Sequence, residues 1–190
     1  MAQLRSTLEN QLNVILTFIG VIWAVYLLDL VLPVDLTTFG VVPRTVNGLP
    51  GILVMPFLHG SLSHLLSNTI PLTILLLLLA GSRAQSSRTV VSLIVLSGLL
   101  LWLLGRQAVH VGASSLIYAL IAFLFISGLL ERRPVPLTVS LLVGFLYGGT
   151  LLSGVLPFNN EQVSWDGHLL GAIAGGLFAW GTRQKRAKTT

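Results

Sequence analysis

Long runs of apolar residues, each about 15 to 20 residues in length, recur along the chain and are separated by short polar segments. An α-helix of that length crosses the roughly 30 Å hydrocarbon core of a lipid bilayer. Only 9% of the residues are charged and the mean hydropathy is +0.88, so the polar surface is too small to cover a water-soluble globule. The sequence therefore predicts an all-α polytopic membrane protein.

Six membrane spans are predicted, and together they form a single membrane domain over residues 1–190. The spans are placed at residues 14–32, 62–80, 89–104, 114–130, 135–155 and 167–180, followed by a short basic tail at 181–190. The first apolar run has no small-residue cleavage site after it, so we interpret it as a retained span. The sequence contains no internal repeat of the kind that transporters carry.

The basic residues indicate the orientation of the spans. Six spans place both termini on one side, and with cytoplasmic termini nine of the eleven Lys and Arg residues are cytoplasmic. Because short loops follow the positive-inside rule, this distribution predicts that both termini face the cytoplasm. The net charge of +5 is thus a topology signal, and nucleic acid is not an expected partner. The nine residues are Arg5, Arg83, Arg88, Arg132, Arg133, Arg183, Lys185, Arg186 and Lys188.

Two connections on the opposite side differ from the tight cytoplasmic turns. Residues 33–61 are semi-apolar and interrupted by glycine and proline, which predicts an irregular segment packed on the bundle near the membrane interface. Residues 156–165 include Phe158 and Trp165. They either cap a cavity or form a passive interfacial loop.

Polar side chains inside membrane spans are costly and mark candidate functional sites. In this sequence they occur on spans two, four and six, within about two turns of the end that faces outward in the predicted topology. We therefore expect them to gather at one depth on one side of the membrane. The residues are His64, Asn68, Ser114, Ser115, Tyr118 and His168.

Span four opens with Gly112-Ala113-Ser114-Ser115. A serine at the start of a helix, after two small residues, allows close approach of a substrate backbone and offers free N–H groups to an oxyanion. This pattern suits a nucleophile. A small-residue packing patch or a helix N-cap has the same sequence, so the residues alone leave both interpretations open.

Span six begins at His168, and Gly171 and Gly175 follow on one face. Small residues at this spacing allow span six to pack closely on span four, which would bring His168 to Ser114. The alternative is an interfacial histidine beside a packing motif. Asp166 lies only two residues before His168, at the expected water boundary, and completes no triad. A base at this position is therefore expected to act in a Ser-His dyad.

His59, His64 and Asn68 follow an H-x4-H-x3-N pattern in which the last two residues share a helix face. Two donors on one face can hold a developing oxyanion or can form interhelical hydrogen bonds. A metal site is not expected, because the spacing of the two histidines is unusual for metal ligands. The chain also contains no cysteine, which excludes thiolate ligands, thiolate catalysis and disulfides.

In combination, these motifs resemble the rhomboid family of intramembrane serine proteases over nearly the whole chain and in the same order. The resemblance implies a six-transmembrane-helix rhomboid-like bundle of the compact prokaryotic type, located in the cell membrane. It rests on His59-x4-His64-x3-Asn68 on span two, Gly112-x-Ser114 with Tyr118 on span four, and His168-x2-Gly171-x3-Gly175 on span six.

The resemblance also implies an activity, namely cleavage of single-span membrane proteins by a Ser-His dyad in the lipid bilayer, without a cofactor or a metal. Each motif residue receives an implied role. Ser114 is the nucleophile and His168 the general base; His64, Asn68 and the Ser114 backbone form the oxyanion hole; Tyr118 packs on His168; and His59 supports the loop.

Two positions depart from the family pattern. Ser115 replaces the second glycine of the usual Gly-x-Ser-Gly, and the first loop lacks the usual Trp-Arg pair, with Arg44 in a different setting. A catalytically inactive rhomboid-like protein that binds transmembrane helices is therefore an alternative. A small transporter or channel is a second alternative, but it would carry repeats or intramembrane charges, of which only Asp29 is found.

The predicted topology can be tested with single cysteines, because the natural chain has none. We expect Asn47→Cys in the first loop and Lys188→Cys in the tail to react with an impermeant thiol reagent from opposite sides of the membrane. The measurement is labelling of intact cells compared with inverted vesicles. Equal labelling of both positions from outside intact cells would contradict the topology.

Overall fold

The computed structural model describes residues 2–83, 86–156 and 164–187, and these residues form an all-helical bundle. Short 3-10 turns at Leu36–Phe39, Val46–Gly48 and Met55–Phe57 interrupt the first long connection. The α-helices of the described chain are α1 (Ala2–Asp29), α2 (Gly51–Val54), α3 (Leu62–Ser82), α4 (Ser86–Leu104), α5 (Ser114–Glu131), α6 (Pro134–Gly154) and α7 (Trp165–Ala187).

Among the described residues, five helices are long and apolar enough to cross a membrane, namely α1 from Glu9 onward and α3 to α6. The sixth predicted span lies in α7, whose mean hydropathy is lower because it contains five glycines and the polar residues Asp166 and His168. The protein is therefore an integral membrane protein with several spans, as the sequence predicts. The helices differ most from the predicted spans at the start of α1, which begins at Ala2 rather than at residue 14, and at the end of α7, which continues to Ala187 rather than to residue 180; α1 also ends early, at Asp29 rather than at residue 32.

Chain geometry explains why α1 ends early. A proline disfavours helical dihedrals in the residue before it, and Pro33 follows the last turn of α1 closely. The carboxylate of Asp29 then accepts a hydrogen bond from the backbone N–H of Leu36 at 2.6 Å, which fixes the turn that leaves the helix.

Helix α5 is the centre of the bundle. It contacts α3, α4, α6 and α7, and 67% of its span is buried, compared with 33% or less for each of the other four spans. Polar atoms in this helix must therefore find partners within the protein. Near its far end, for example, the guanidinium of Arg83 donates to Ser127 Oγ at 2.6 Å and to Glu131 Oε1 at 2.7 Å.

Helices α5 and α7 run parallel with their backbones in direct contact. A Cβ atom built on Gly171 would lie 2.3 Å from the carbonyl oxygen of Ser115, and one on Gly175 would lie 2.1 Å from that of Ala119. No side chain fits in either position. The predicted close packing of the sixth span on the fourth is therefore confirmed, and the two helices begin at the same end of the bundle.

The long connection before α3 is anchored to the end of α4. The guanidinium of Arg44 donates to the carbonyl oxygens of Gly105 at 2.8 Å and Leu103 at 3.3 Å. Carbonyl groups at the C-terminal end of a helix have no N–H partner within the helix, and Arg44 supplies one. The indole Nε1 of Trp102 donates in return to the carbonyl of Thr45 at 2.8 Å. The connection is thus irregular and packed on the bundle, in agreement with its sequence.

The other predicted loop, residues 156–165, falls largely outside the described residues, which resume at Ser164. Its interpretation as a cap over a cavity or as a passive loop stays a prediction.

We expect Gly175→Ala to destabilise the protein, because the new methyl group would overlap the backbone of α5. Overpacking of this kind lowers the free energy of unfolding by about 1–3 kcal/mol, whereas the higher helix propensity of alanine relative to glycine raises it by about 1 kcal/mol. Gly181→Ala is the matched control on the same helix, since its Cβ would meet no atom within 4 Å. Thermal unfolding in detergent should show a lower midpoint for Gly175→Ala and an equal or higher one for Gly181→Ala. Equal midpoints for both variants would contradict the backbone contact.

Candidate active site

A polar cavity of about 910 Å³ opens at the end of the bundle where α5 and α7 begin. Most of the bundle interior is apolar, so a large cavity with hydroxyl, imidazole and amide groups on its walls is a candidate for chemistry that involves water. The side chains predicted from sequence that line it are His64, Asn68, Ser114, Tyr118 and His168.

Ser114 is the first residue of α5, directly after Ala113 at the N-cap. The first intrahelical bond that reaches back to Ala113 comes from the N–H of Ile117, at 3.0 Å, so the earlier N–H groups of the turn have no partner within the helix. Ser114 therefore presents a hydroxyl to the cavity beside free backbone donors at the positive end of a helix dipole.

Gly112 explains how two side chains of α3 come close to this turn. Its φ of +102° lies in a region that favours glycine, and a Cβ atom there would lie 2.5 Å from His64 Nε2 and 3.2 Å from Asn68 Nδ2. His64 and Asn68 thus occupy the space that a side chain at position 112 would fill. They lie against the backbone that leads into Ser114, as expected from their shared helix face.

His59 fixes the side chain of Asn68 by a hydrogen bond. The amide Nδ2 of Asn68 donates to His59 Nε2 at 3.1 Å, and both side chains are buried. Burial, assisted by the neighbouring His64, lowers the pKa of His59 to about 4, so its imidazole is neutral and accepts this hydrogen bond near neutral pH. Within the part of the chain that the structure describes, no group of three His, Asp or Glu side chains is placed to hold a metal ion.

His168 lies in the first turn of α7 and is fixed on two sides. Its ring stacks on Tyr118 with a centroid distance of 4.1 Å and an interplanar angle of 4°. Its Nδ1 atom lies 3.0 Å from the carbonyl oxygen of Gly154 at the end of α6. The Tyr118 hydroxyl donates to the carbonyl of Thr150 at 3.0 Å, so the end of α6 holds both rings.

Ser114 and His168 line the same cavity, although no hydrogen bond joins their side chains among the described residues. Bonds of this kind are often long in substrate-free enzymes and shorten when substrate binds. Ser115, in contrast, is only 2% exposed, and its backbone lies against Gly171 of α7. Its hydroxyl is buried without a hydrogen-bond partner in the described structure, and it is absent from the cavity wall.

The sequence does not single out His110 as a site residue and does not indicate that Asp166 is buried. Asp166 is 5% exposed and His110 is 3% exposed. Both belong to a hydrogen-bonded group with Arg106 and Ser164 at the edge of the cavity. The only indication of His110 in the sequence is that a histidine lies two residues before Gly112, in a segment outside the predicted spans.

The sequence is similar to one protein family and to several mycobacterial proteins. The sequence model described as Rhomboid domain matches residues 47–185. An uncharacterized protein of Mycobacterium tuberculosis is 39% identical over 177 residues, which cover 87% of this chain and 72% of that protein, and an uncharacterized protein of Mycobacterium bovis matches equally. An uncharacterized protein of Mycobacterium leprae is 36% identical over 87% of this chain and 69% of its own length.

Proposed function

The chain belongs to the rhomboid family, and on that premise we propose that it is an intramembrane serine endopeptidase with Ser114 as nucleophile and His168 as general base. Its substrates would be membrane proteins whose transmembrane segment reaches the polar cavity. The neighbouring His64 and Asn68 supply oxyanion donors together with the backbone N–H of Ser114.

The hydrogen bond of His168 carries this proposal. A carbonyl oxygen only accepts hydrogen bonds, so the contact with Gly154 requires that Nδ1 of His168 holds the proton. In the neutral ring Nε2 then has a free lone pair, which is the state that a general base needs. Gly154 thereby performs the orienting task that a carboxylate performs in a Ser-His-Asp triad.

The reaction follows from this arrangement. His168 Nε2 takes the proton of Ser114 Oγ while the oxygen attacks the scissile carbonyl, and the negative charge on the carbonyl oxygen is held by the donors near Gly112. His168 then gives its proton to the departing amine. A water molecule from the cavity repeats the cycle on the acyl-enzyme, with His168 again acting first as base and then as acid.

The substrate segment must be unwound at the cleaved bond, because a helix hides its carbonyl groups in its own hydrogen bonds. The family resemblance suggests a single-span protein with small residues at the cleavage site and helix-weakening residues below it. The bundle end that carries the cavity faces outward in the topology that the basic residues predict.

Ser114→Ala should abolish both cleavage of a single-span model substrate and labelling by a fluorophosphonate, because Ser114 lines the cavity at the start of α5, where the unpaired N–H groups of the first helical turn can hold an oxyanion. Ser115→Gly should retain activity, since it removes a buried hydroxyl that has no partner in the described structure and stands beside Gly171. The measurement is gel-based labelling and cleavage with purified protein in liposomes.

These two variants also separate the proposal from the alternative of an inactive, helix-binding protein. Activity in Ser114→Ala would show that the nucleophile is assigned wrongly. A wild-type protein that neither labels nor cleaves, while Ser115→Gly does both, would favour the inactive protein and assign the loss to Ser115.

Asn68→Ala should reduce kcat less than His168→Ala does. Loss of one oxyanion donor typically costs about 2.7–4 kcal/mol, or 10²–10³ in kcat, while His64 and the backbone remain. Loss of the base removes proton transfer altogether. Asn47→Ala, an exposed asparagine in the first connection, serves as the control. Equal inactivity of Asn68→Ala and His168→Ala in folded protein would instead give Asn68 a structural role through His59.

A further inference from the structure

A polar cluster lies at the edge of the cavity and consists of the buried side chains of His110 and Asp166 together with the half-buried Arg106 and Ser164. Asp166 Oδ2 accepts the backbone N–H of Arg106 at 2.9 Å, and Asp166 Oδ1 accepts the hydroxyl of Ser164 at 3.1 Å. The Nε atom of Arg106 lies 3.5 Å from the same carboxylate, and Nε2 of His110 lies 3.8 Å from it. A carboxylate that is removed from water in this way is stable only while such partners remain in place.

His110 joins three segments of the chain. Its Nδ1 atom lies 2.8 Å from Ser164 Oγ, and its Nε2 atom lies 3.0 Å from the carbonyl oxygen of Arg106. Its backbone exchanges two hydrogen bonds with Val41, at 2.8 and 2.9 Å. The first connection, the segment before α5 and the start of α7 therefore meet at this one residue.

Ser164 links the cluster to the geometry of α7. Its carbonyl accepts the N–H of His168 at 3.0 Å, and its hydroxyl accepts the N–H of Gly167 at 3.3 Å, which makes Ser164 the N-cap of the helix. The negative charge of Asp166 in the first turn is also favourable at a helix N-terminus. The cluster thus fixes where α7 begins.

The cluster is placed between the two halves of the proposed active site. His110 precedes Gly112 by two residues, and Asp166 precedes His168 by two residues. The start of α7 also meets α5 where His168 stacks on Tyr118 and where the backbone of Ser115 lies against Gly171. The cluster ties the start of α7 to the segment that leads into Ser114, and it therefore helps to set the distance between Ser114 and His168.

We propose that Asp166 and His110 are positioning residues that set the separation of Ser114 and His168, an inference that rests on the proposed protease function. Neither residue takes part in proton transfer, because the carboxylate of Asp166 is bonded to Arg106 and Ser164, while Nδ1 of His168 is bonded to Gly154. Removal of the Asp166 charge weakens its contacts with Arg106, His110 and Ser164, and the two segments then move apart.

The test compares the rate of fluorophosphonate labelling at Ser114 with the fraction of protein that is finally labelled. Asp166→Asn should lower the rate about tenfold or more, because a displacement of about 1 Å at a reacting group costs up to about 100-fold, while the final fraction stays near that of the wild type. Asp35→Asn, at an exposed carboxylate outside the cluster, should change neither value. A wild-type rate in Asp166→Asn, or a reduced final fraction with an unchanged rate, would overturn the proposal.

Position 164 offers a milder matched pair. Ser164→Thr keeps a hydroxyl for His110 and Asp166 and should label close to the wild-type rate, whereas Ser164→Ala should label more slowly. Equal rates for the two variants would overturn the role of the cluster even if Asp166→Asn fails to fold.

A distance measurement tests the positioning without any activity. Spin labels at Val109→Cys and Leu177→Cys, both exposed in a chain without natural cysteine, should give a narrow distance distribution in the wild-type background and a broader one with Asp166→Asn. An unchanged width would overturn the positioning role. A wild-type protein that shows no labelling by fluorophosphonate would instead overturn the protease function, while the width still decides the role of the cluster.

Discussion

The backbone contact between α5 and α7 is the interaction on which the rest of this structure depends. In lipid there is little hydrophobic drive to bring helices together, so close van der Waals contact between small residues takes its place. Gly171 and Gly175 allow that contact because each lies where a Cβ atom would overlap a carbonyl group of α5. The parallel arrangement that results brings Ser114 and His168 to the same end of the bundle, and the other helices then enclose α5.

The cavity end of the bundle is held together by a different type of interaction, because hydrogen bonds replace apolar packing there. Arg44 donates to the carbonyl of Gly105 just after α4, and Asp166 at the start of α7 accepts the N–H of Arg106. Such bonds are directional, whereas packing between apolar helices tolerates sliding. The two mechanisms together explain how helices in a fluid bilayer can hold a small set of polar groups in fixed positions.

The sequence predicts those features that follow from a local pattern. Span positions follow from apolar runs, and the packing of α7 on α5 follows from the spacing of Gly171 and Gly175, so both could be predicted. His110 could not, because it lies outside the spans and its partner Ser164 is 54 residues away in the chain. The burial of Asp166 could not be predicted for the same reason, since it depends on a hydrogen bond from Arg106, which is 60 residues away in the chain.

The chain order of the helices has a consequence for biosynthesis. His168 lies on α7, which follows all the other described helices, while Ser114 is already inserted on α5. Until α7 has been inserted into the bilayer, the surface of α5 at Ser115 and Ala119 lacks its contact with Gly171 and Gly175, and His168 is not yet in place. In the proposed protease, the nascent chain therefore carries Ser114 without His168 until α7 is inserted, so the proposed site is the last part of the bundle to be assembled.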